Sequence, residues 1–178
     1  MRTLFFGAGP TGSVYAHLLA QAGGDVTVLD RGPRYEWLKK HGLVLVNEMT
    51  GVQQSSRVNV VDALSSDDDY DLAVVSIRKN KLGPVFETLA ASPGIKTILF
   101  MGNNASGFEV HLKHLAHEKL LMGFPGVGGG LIDQVVHYAD REKPTGHPKA
   151  ITIGEIDGQT RERTSEVQAL FQSAGVPV

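Results

Sequence analysis

The sequence predicts an α/β fold with a doubly wound, mostly parallel sheet, and three observations lead there. Short apolar runs rich in β-branched and aromatic residues alternate along the chain with stretches of helical spacing, the pattern of strands covered on both faces. A G-x-G-x-x-G sequence formed by Gly7, Gly9 and Gly12 separates the first run from the first helical stretch. Asp30 follows Gly12 by 18 residues, at the end of the second apolar run.

In order, the apolar runs "TLFF" (3–6), "VTVL" (26–29), "LAVVSI" (72–77), "TILFM" (97–101) and "LLMGF" (120–124) read as strands. Helices are expected over 13–23, 33–42, 82–92 and 108–118. Residues 43–60 break the rhythm with two extended runs around "MTG", which predicts an inserted hairpin. "VVHYA" (135–139) and "AITIGEI" (150–156), on either side of the Pro/Gly loop 143–149, predict additional edge strands. A last helix places Val167, Leu170 and Phe171 on one face before a glycine ends it.

A length of 178 residues predicts one domain, or a domain plus a short extension, with room for a real core, and 42% hydrophobic with 20% charged residues is ordinary globular composition. A net charge of −2 argues against nucleic acid as a partner. The absence of cysteine removes thiolate chemistry and zinc–sulfur sites and suits a reducing compartment. The apolar start is too short for a signal peptide or membrane span, so a cytoplasmic protein without membrane contact is expected.

The three glycines have separate expected roles. Gly7 permits a tight turn, Gly9 lets the backbone approach a pyrophosphate, and Gly12 lets the new helix sit close to the strand. Together with Ala8, Pro10 and Thr11 they form an expected coenzyme loop at a helix N-terminus, whose free amides favour phosphate. Asp30 and Arg31 bear on which dinucleotide binds. A carboxylate there accepts ribose hydroxyls of NAD, and an arginine pairs with the extra phosphate of NADP. If Asp30 turns outward, Arg31 and Arg34 make a phosphate clamp. If it turns inward, NAD gains. The bland reading leaves both arginines as solvated charges.

Five segments in order, "GAGPTGSVYAHLLAQAGGDVTVLDRG" (7–32), "DLAVVSIRKNKL" (71–82), "TILFMGNNASG" (97–107), "LLMGFPGVGGG" (120–130) and "IGEIDGQTRERTSEVQALFQSAGVPV" (153–178), resemble the amino-terminal domain of the ketopantoate reductase (2-dehydropantoate 2-reductase) family. The resemblance implies that residues 1–178 form a Rossmann-type NAD(P)-binding domain, and that a helical domain carrying the proton-donating lysine and much of the substrate pocket is absent from this chain. It implies NADPH as hydride donor, with NAD as the alternative, and a small 2-keto acid as substrate. Asn103 matches an asparagine that contacts the nicotinamide ribose and substrate, and Gly129 matches a coenzyme contact. Arg78 stands where the family carries lysine. A guanidinium holds a carboxylate or phosphate in two places but is a poor proton donor, so Arg78 and Asn103 are expected to assist rather than to donate the proton, and the keto acid is left open.

His111, His114 and His117 read as a polar helix face rather than a zinc site, and Trp37 as packing. Two other functions fit the same motifs: a non-catalytic sensor of NAD(H) or NADP(H), and a dehydrogenase for amino-acid or opine-like substrates. A homodimer is left open.

Overall fold

The computed structural model describes residues 1–102, 107–139 and 149–178. With strands numbered in chain order, β1 (Arg2–Phe6), β2 (Asp25–Leu29), β5 (Asn59–Val61), β6 (Tyr70–Val75), β7 (Ile95–Met101) and β8 (Leu120–Pro125) run parallel in one sheet. β11 (Ile151–Glu155) joins antiparallel to β8, giving the order β11-β8-β7-β6-β1-β2-β5. The progression reverses between β1 and β6. At such a point the connections leave to opposite faces and open a crevice beyond the strand ends.

Alternation along each strand explains the continuous apolar runs. Phe5, Leu72, Val74, Leu99 and Leu121 point into the core on one face, and Leu4, Phe6, Ala73, Val75, Ile98 and Phe100 into the core on the other. The first face is covered by α1 (Pro10–Gln21) and α5 (Glu162–Ser173), the second by α3 (Gly83–Ala90). Tyr15 of α1 meets Phe171 of α5 edge to face, with centroids 5.9 Å apart. Each fully buried Leu or Phe here contributes about 1.5 to 3 kcal/mol. The helices α1, α2 (Pro33–His41) and α3 carry proline in the first turn, where its fixed φ fits and its missing N–H costs nothing.

The expected hairpin is present as β3 (Leu43–Asn47) and β4 (Gln53–Ser56), but it is half of a second sheet. β9 (Gly129–Ile132) and β10 (Val135–Tyr138) complete it in the order β4-β3-β10-β9, with β10 parallel to β3. "VVHYA" therefore pairs inside this sheet, and only the 151–155 strand lies at the edge of the main one. Leu43, Leu45, Val136 and Tyr138 of the second sheet share the core that holds α1. Enclosed between two sheets, α1 buries residues all around its axis, including Ser13 and His17. Each buried polar group then needs a partner, and His17 Nδ1 lies 2.9 Å from Ser56 Oγ on β4.

Residues 108–118 depart from expectation. Only α4 (Glu109–Leu112) is α-helical, followed by a turn and a 3₁₀ turn at His117–Lys119. Among the described residues no helix is long and apolar enough to cross a membrane.

Candidate functional site

Gly7 leaves β1 with φ +100°, a backbone state that strongly favours glycine, and its N–H donates to the Leu29 carbonyl at 2.9 Å. Gly12 is packed so closely that a Cβ there would overlap the Gly7 carbonyl oxygen and Ser76 Oγ. Gly9 differs from both. Its φ of −70° suits any residue, and a Cβ would meet nothing within 4 Å, because Gly9 borders a cavity of about 520 Å³. Pro10, Thr11, Asp30, Ser76–Arg78 and Gly128–Leu131 also line that cavity. The first intrahelical bond of α1 runs from Ser13 N–H to the Gly9 carbonyl, 2.9 Å. Proline has no N–H, so the amides of Gly9, Thr11 and Gly12 are the loop donors left without an acceptor among the described residues.

Ala8 is the exception among the expected loop residues. It is buried, its N–H donates to Asp30 Oδ2 at 2.7 Å, and its carbonyl accepts from Ser13 Oγ at 3.0 Å and Arg34 Nε at 3.1 Å. Both of its backbone polar groups are engaged inside the protein, so it offers a ligand nothing. Asp30 turns inward: Oδ2 holds the loop, Oδ1 accepts the Arg31 N–H at 2.8 Å, and the carboxylate borders the cavity.

Arg34 is a correction to both sequence readings, clamp and solvated charge. Its guanidinium is buried, donating to Ala8, to Ser13 Oγ at 3.3 Å and to the Gln134 carbonyl. Burial lowers its pKa, and the nearby Asp30 carboxylate partly offsets this. Arg31 remains exposed, with Nε 3.3 Å from the Asp62 carbonyl.

Beyond Arg78 a second cavity of about 330 Å³ lies over the ends of β6, β7 and β8. Thr11, Ser76, Ile77 and Arg78 border both cavities, which form one cleft at the reversal point of the sheet. Lys79, Phe100, Met101, Gly102, His111 and Pro125 are among the other residues lining the second. Asn103 lies outside the described residues, as do 143–148 of the expected loop. Gly129 borders the first cavity, but its lack of a side chain is also demanded by the sheet: a Cβ would overlap the His137 carbonyl on β10.

His111 was not legible as a site residue. The expected polar face is absent there: the ring is buried, 4.5 Å from Phe100 and 5.4 Å from Phe86 between centroids. Among the described residues neither ring nitrogen has a partner at hydrogen-bond geometry; burial and the Lys79 charge lower its pKa, and the Phe108 backbone partly offsets this. The only sequence signal was the offset of His111 from the apolar Leu115 by four residues, which put both on the inner side. Trp37 stacks on His41 at 4.0 Å and serves packing.

Residues 3–158 match the family model described as ketopantoate reductase PanE/ApbA. The chain belongs to the ketopantoate reductase family. It is 27% identical over 182 residues to an uncharacterized oxidoreductase, YkpB, of Bacillus subtilis (strain 168), covering 100% of this chain and 56% of that protein. A solved 2-dehydropantoate 2-reductase from Geobacter metallireducens GS-15 aligns with a TM-score of 0.80 at 24% identity, over 99% of this chain and 56% of the other. D-mandelate dehydrogenase, solved with NADH and anilino(oxo)acetate, aligns with a TM-score of 0.77 at 18% identity, over 98% of this chain and 55% of the other. The ketopantoate reductase fold is thus shared across these proteins, and this chain spans a little over half the length of each.

Proposed function

We propose that this chain is the coenzyme-binding half of a nicotinamide-dependent reductase acting on a small 2-keto acid, 2-dehydropantoate or a related compound. The observation that carries the reading is the pair of unpaired amides at Gly9 and Thr11, which line a cavity that a side chain at Gly9 would enter, with the Gly12 amide unpaired next to them in the helix start. Backbone donors at a helix start, with space in front of them, suit a diphosphate. Family membership supports the same assignment.

When bound, the nicotinamide supplies a hydride. Gly9, Thr11 and Gly12 would hold the diphosphate, and Asp30 would accept the adenosine ribose hydroxyls on lone pairs left over from Ala8 and Arg31. Arg78, at the junction of the two cavities, would hold the keto-acid carboxylate through two parallel hydrogen bonds. Phe100, Met101 and Pro125 would exclude water there, which strengthens every charge interaction inside the cleft. Because a guanidinium keeps its protons, the alkoxide would draw its proton from a group beyond residue 178, in the helical domain that the family resemblance implies.

The inward Asp30 favours NADH, since a 2′-phosphate would face a carboxylate and Arg34 is already engaged. NADPH, implied by the resemblance, would rely on the exposed Arg31. Calorimetric titration of the chain with both coenzymes tests this. NADH is expected to bind at least about tenfold more tightly, and Asp30→Ala to remove that preference. Selective loss of NADPH affinity in Arg31→Ala, with NADPH the tighter ligand of the wild type, would reverse the coenzyme choice, and no heat with either would sink the proposal.

A further inference from the structure

The geometry points to Arg34 as a positioning residue that aims the Gly9 amide at the coenzyme diphosphate and joins the two walls of its cavity. This rests on the coenzyme reading above.

In a trans peptide the carbonyl and the following N–H point to opposite sides of the chain. The unit joining Gly7 to Ala8 shows the consequence, with its carbonyl receiving Ser76 Oγ at 3.1 Å on one side and its N–H reaching Asp30 Oδ2 at 2.7 Å on the other. In the next unit the Ala8 carbonyl is drawn inward by two donors, Arg34 Nε at 3.1 Å and Ser13 Oγ at 3.0 Å. The Gly9 N–H must then face outward, toward the cavity that Gly9 borders. Glycine has no side chain to resist rotation of this unit, so the inward donors set its direction.

The same guanidinium donates to the Gln134 carbonyl. Gln134 and Asp133 form the two-residue turn between β9 and β10, with φ of +68° and +47°, a conformation that aspartate tolerates and glutamine rarely adopts. β9 carries Gly129–Leu131, the wall opposite the glycine loop. One buried cation therefore ties the amide-bearing wall to the facing wall, and its positive charge lies directly behind the loop that would receive two phosphates. Lysine could keep the charge but not span all three acceptors.

The test uses the ¹⁵N-labelled chain with NADH and with ADP-ribose, which shares the diphosphate but lacks nicotinamide. Arg34→Met is expected to weaken both ligands alike, by about tenfold, and to abolish the shift of the Gly9 amide on binding while those of Thr11 and Gly12 persist. Arg34→Lys should restore part of the Gly9 response. A merely structural role would lower the melting temperature and move all three amides together, and that result, or Arg34→Met binding within twofold of wild type with a normal Gly9 shift, overturns the inference. If Arg34→Met does not fold, Ser13→Ala carries the test by removing the other inward donor, with a diminished Gly9 shift expected and an unchanged one contradicting it. If the wild-type chain binds neither ligand, the coenzyme reading fails. The direction of the Ala8 carbonyl in a crystal structure of Arg34→Met, or of Ser13→Ala if that variant does not fold, still judges the positioning separately: inward in wild type and turned in the variant supports it, and unchanged refutes it.

Discussion

At the β1–β2 end of the cleft, most backbone groups of the glycine loop are engaged inside the protein, and the amides of Gly9 and Thr11, which line the cavity, are not. Asp30, Ser76, Ser13 and Arg34 hold the glycine loop from behind, leaving the Gly9 and Thr11 donors in front. At the β7–β8 end the wall is made of side chains: Phe100, Met101 and Pro125, the cations of Arg78 and Lys79, and a buried His111 whose ring nitrogens have no well-formed hydrogen bond among the described residues. The first end is set before any ligand arrives, which reduces the ordering cost of binding. The second leaves polar groups unmatched and gains its definition from what meets it.

The sharpest way to break this contrast is Gly12→Val, which drives carbon into the Gly7 carbonyl and Ser76 Oγ. It should cost about 3 kcal/mol of stability in denaturant unfolding and abolish dinucleotide binding. Gly9→Val separates the two effects, because its side chain would occupy only the cavity. Dinucleotide affinity should fall by about a hundredfold, with unfolding free energy within about 0.5 kcal/mol of wild type.

Arg78→Ser sharpens the other end. NADH affinity should change by no more than about threefold, while binding of oxamate, an unreactive 2-keto-acid analogue, to the NADH-loaded chain is lost in calorimetry. The smallest effect belongs to His111. Its folded pKa lies below the ordinary 6.5, so the unfolded chain takes up the proton first and stability falls as pH drops from about 6.5 toward the folded value. His111→Leu should flatten part of that slope below about pH 6.5 in unfolding titrations. His17, with its pKa also lowered by burial, leaves a residual slope.

The main sheet was legible because buried parallel strands read as unbroken apolar runs, and "TLFF", "VTVL" and "TILFM" all fall within strands of that sheet. The second sheet was only half visible. β4 is "QQSS", without apolar alternation, and β9 begins inside "GVGGG", which reads as loop. Its central pairing joins Leu45 to Val136, a separation no local pattern reports. The glycine loop was readable from spacing, whereas the direction of Asp30 depends on whether a distant amide is free to receive it. Arg34 was misread because a charged residue in "PRYEW" has the look of a solvated helix face, and its three acceptors come from the glycine loop, α1 and the β9–β10 turn, which surround it.

The parallel contact between β3 and β10 also governs when the protein becomes competent. During synthesis the amino-terminal loop emerges early, yet the strand opposite it and the turn that engages Arg34 are translated much later. A nascent chain stalled before residue 129 would carry the complete fingerprint motif and still lack one side of the groove, so ribosome-bound intermediates should not be retained on an immobilised-nucleotide resin until that strand clears the exit tunnel.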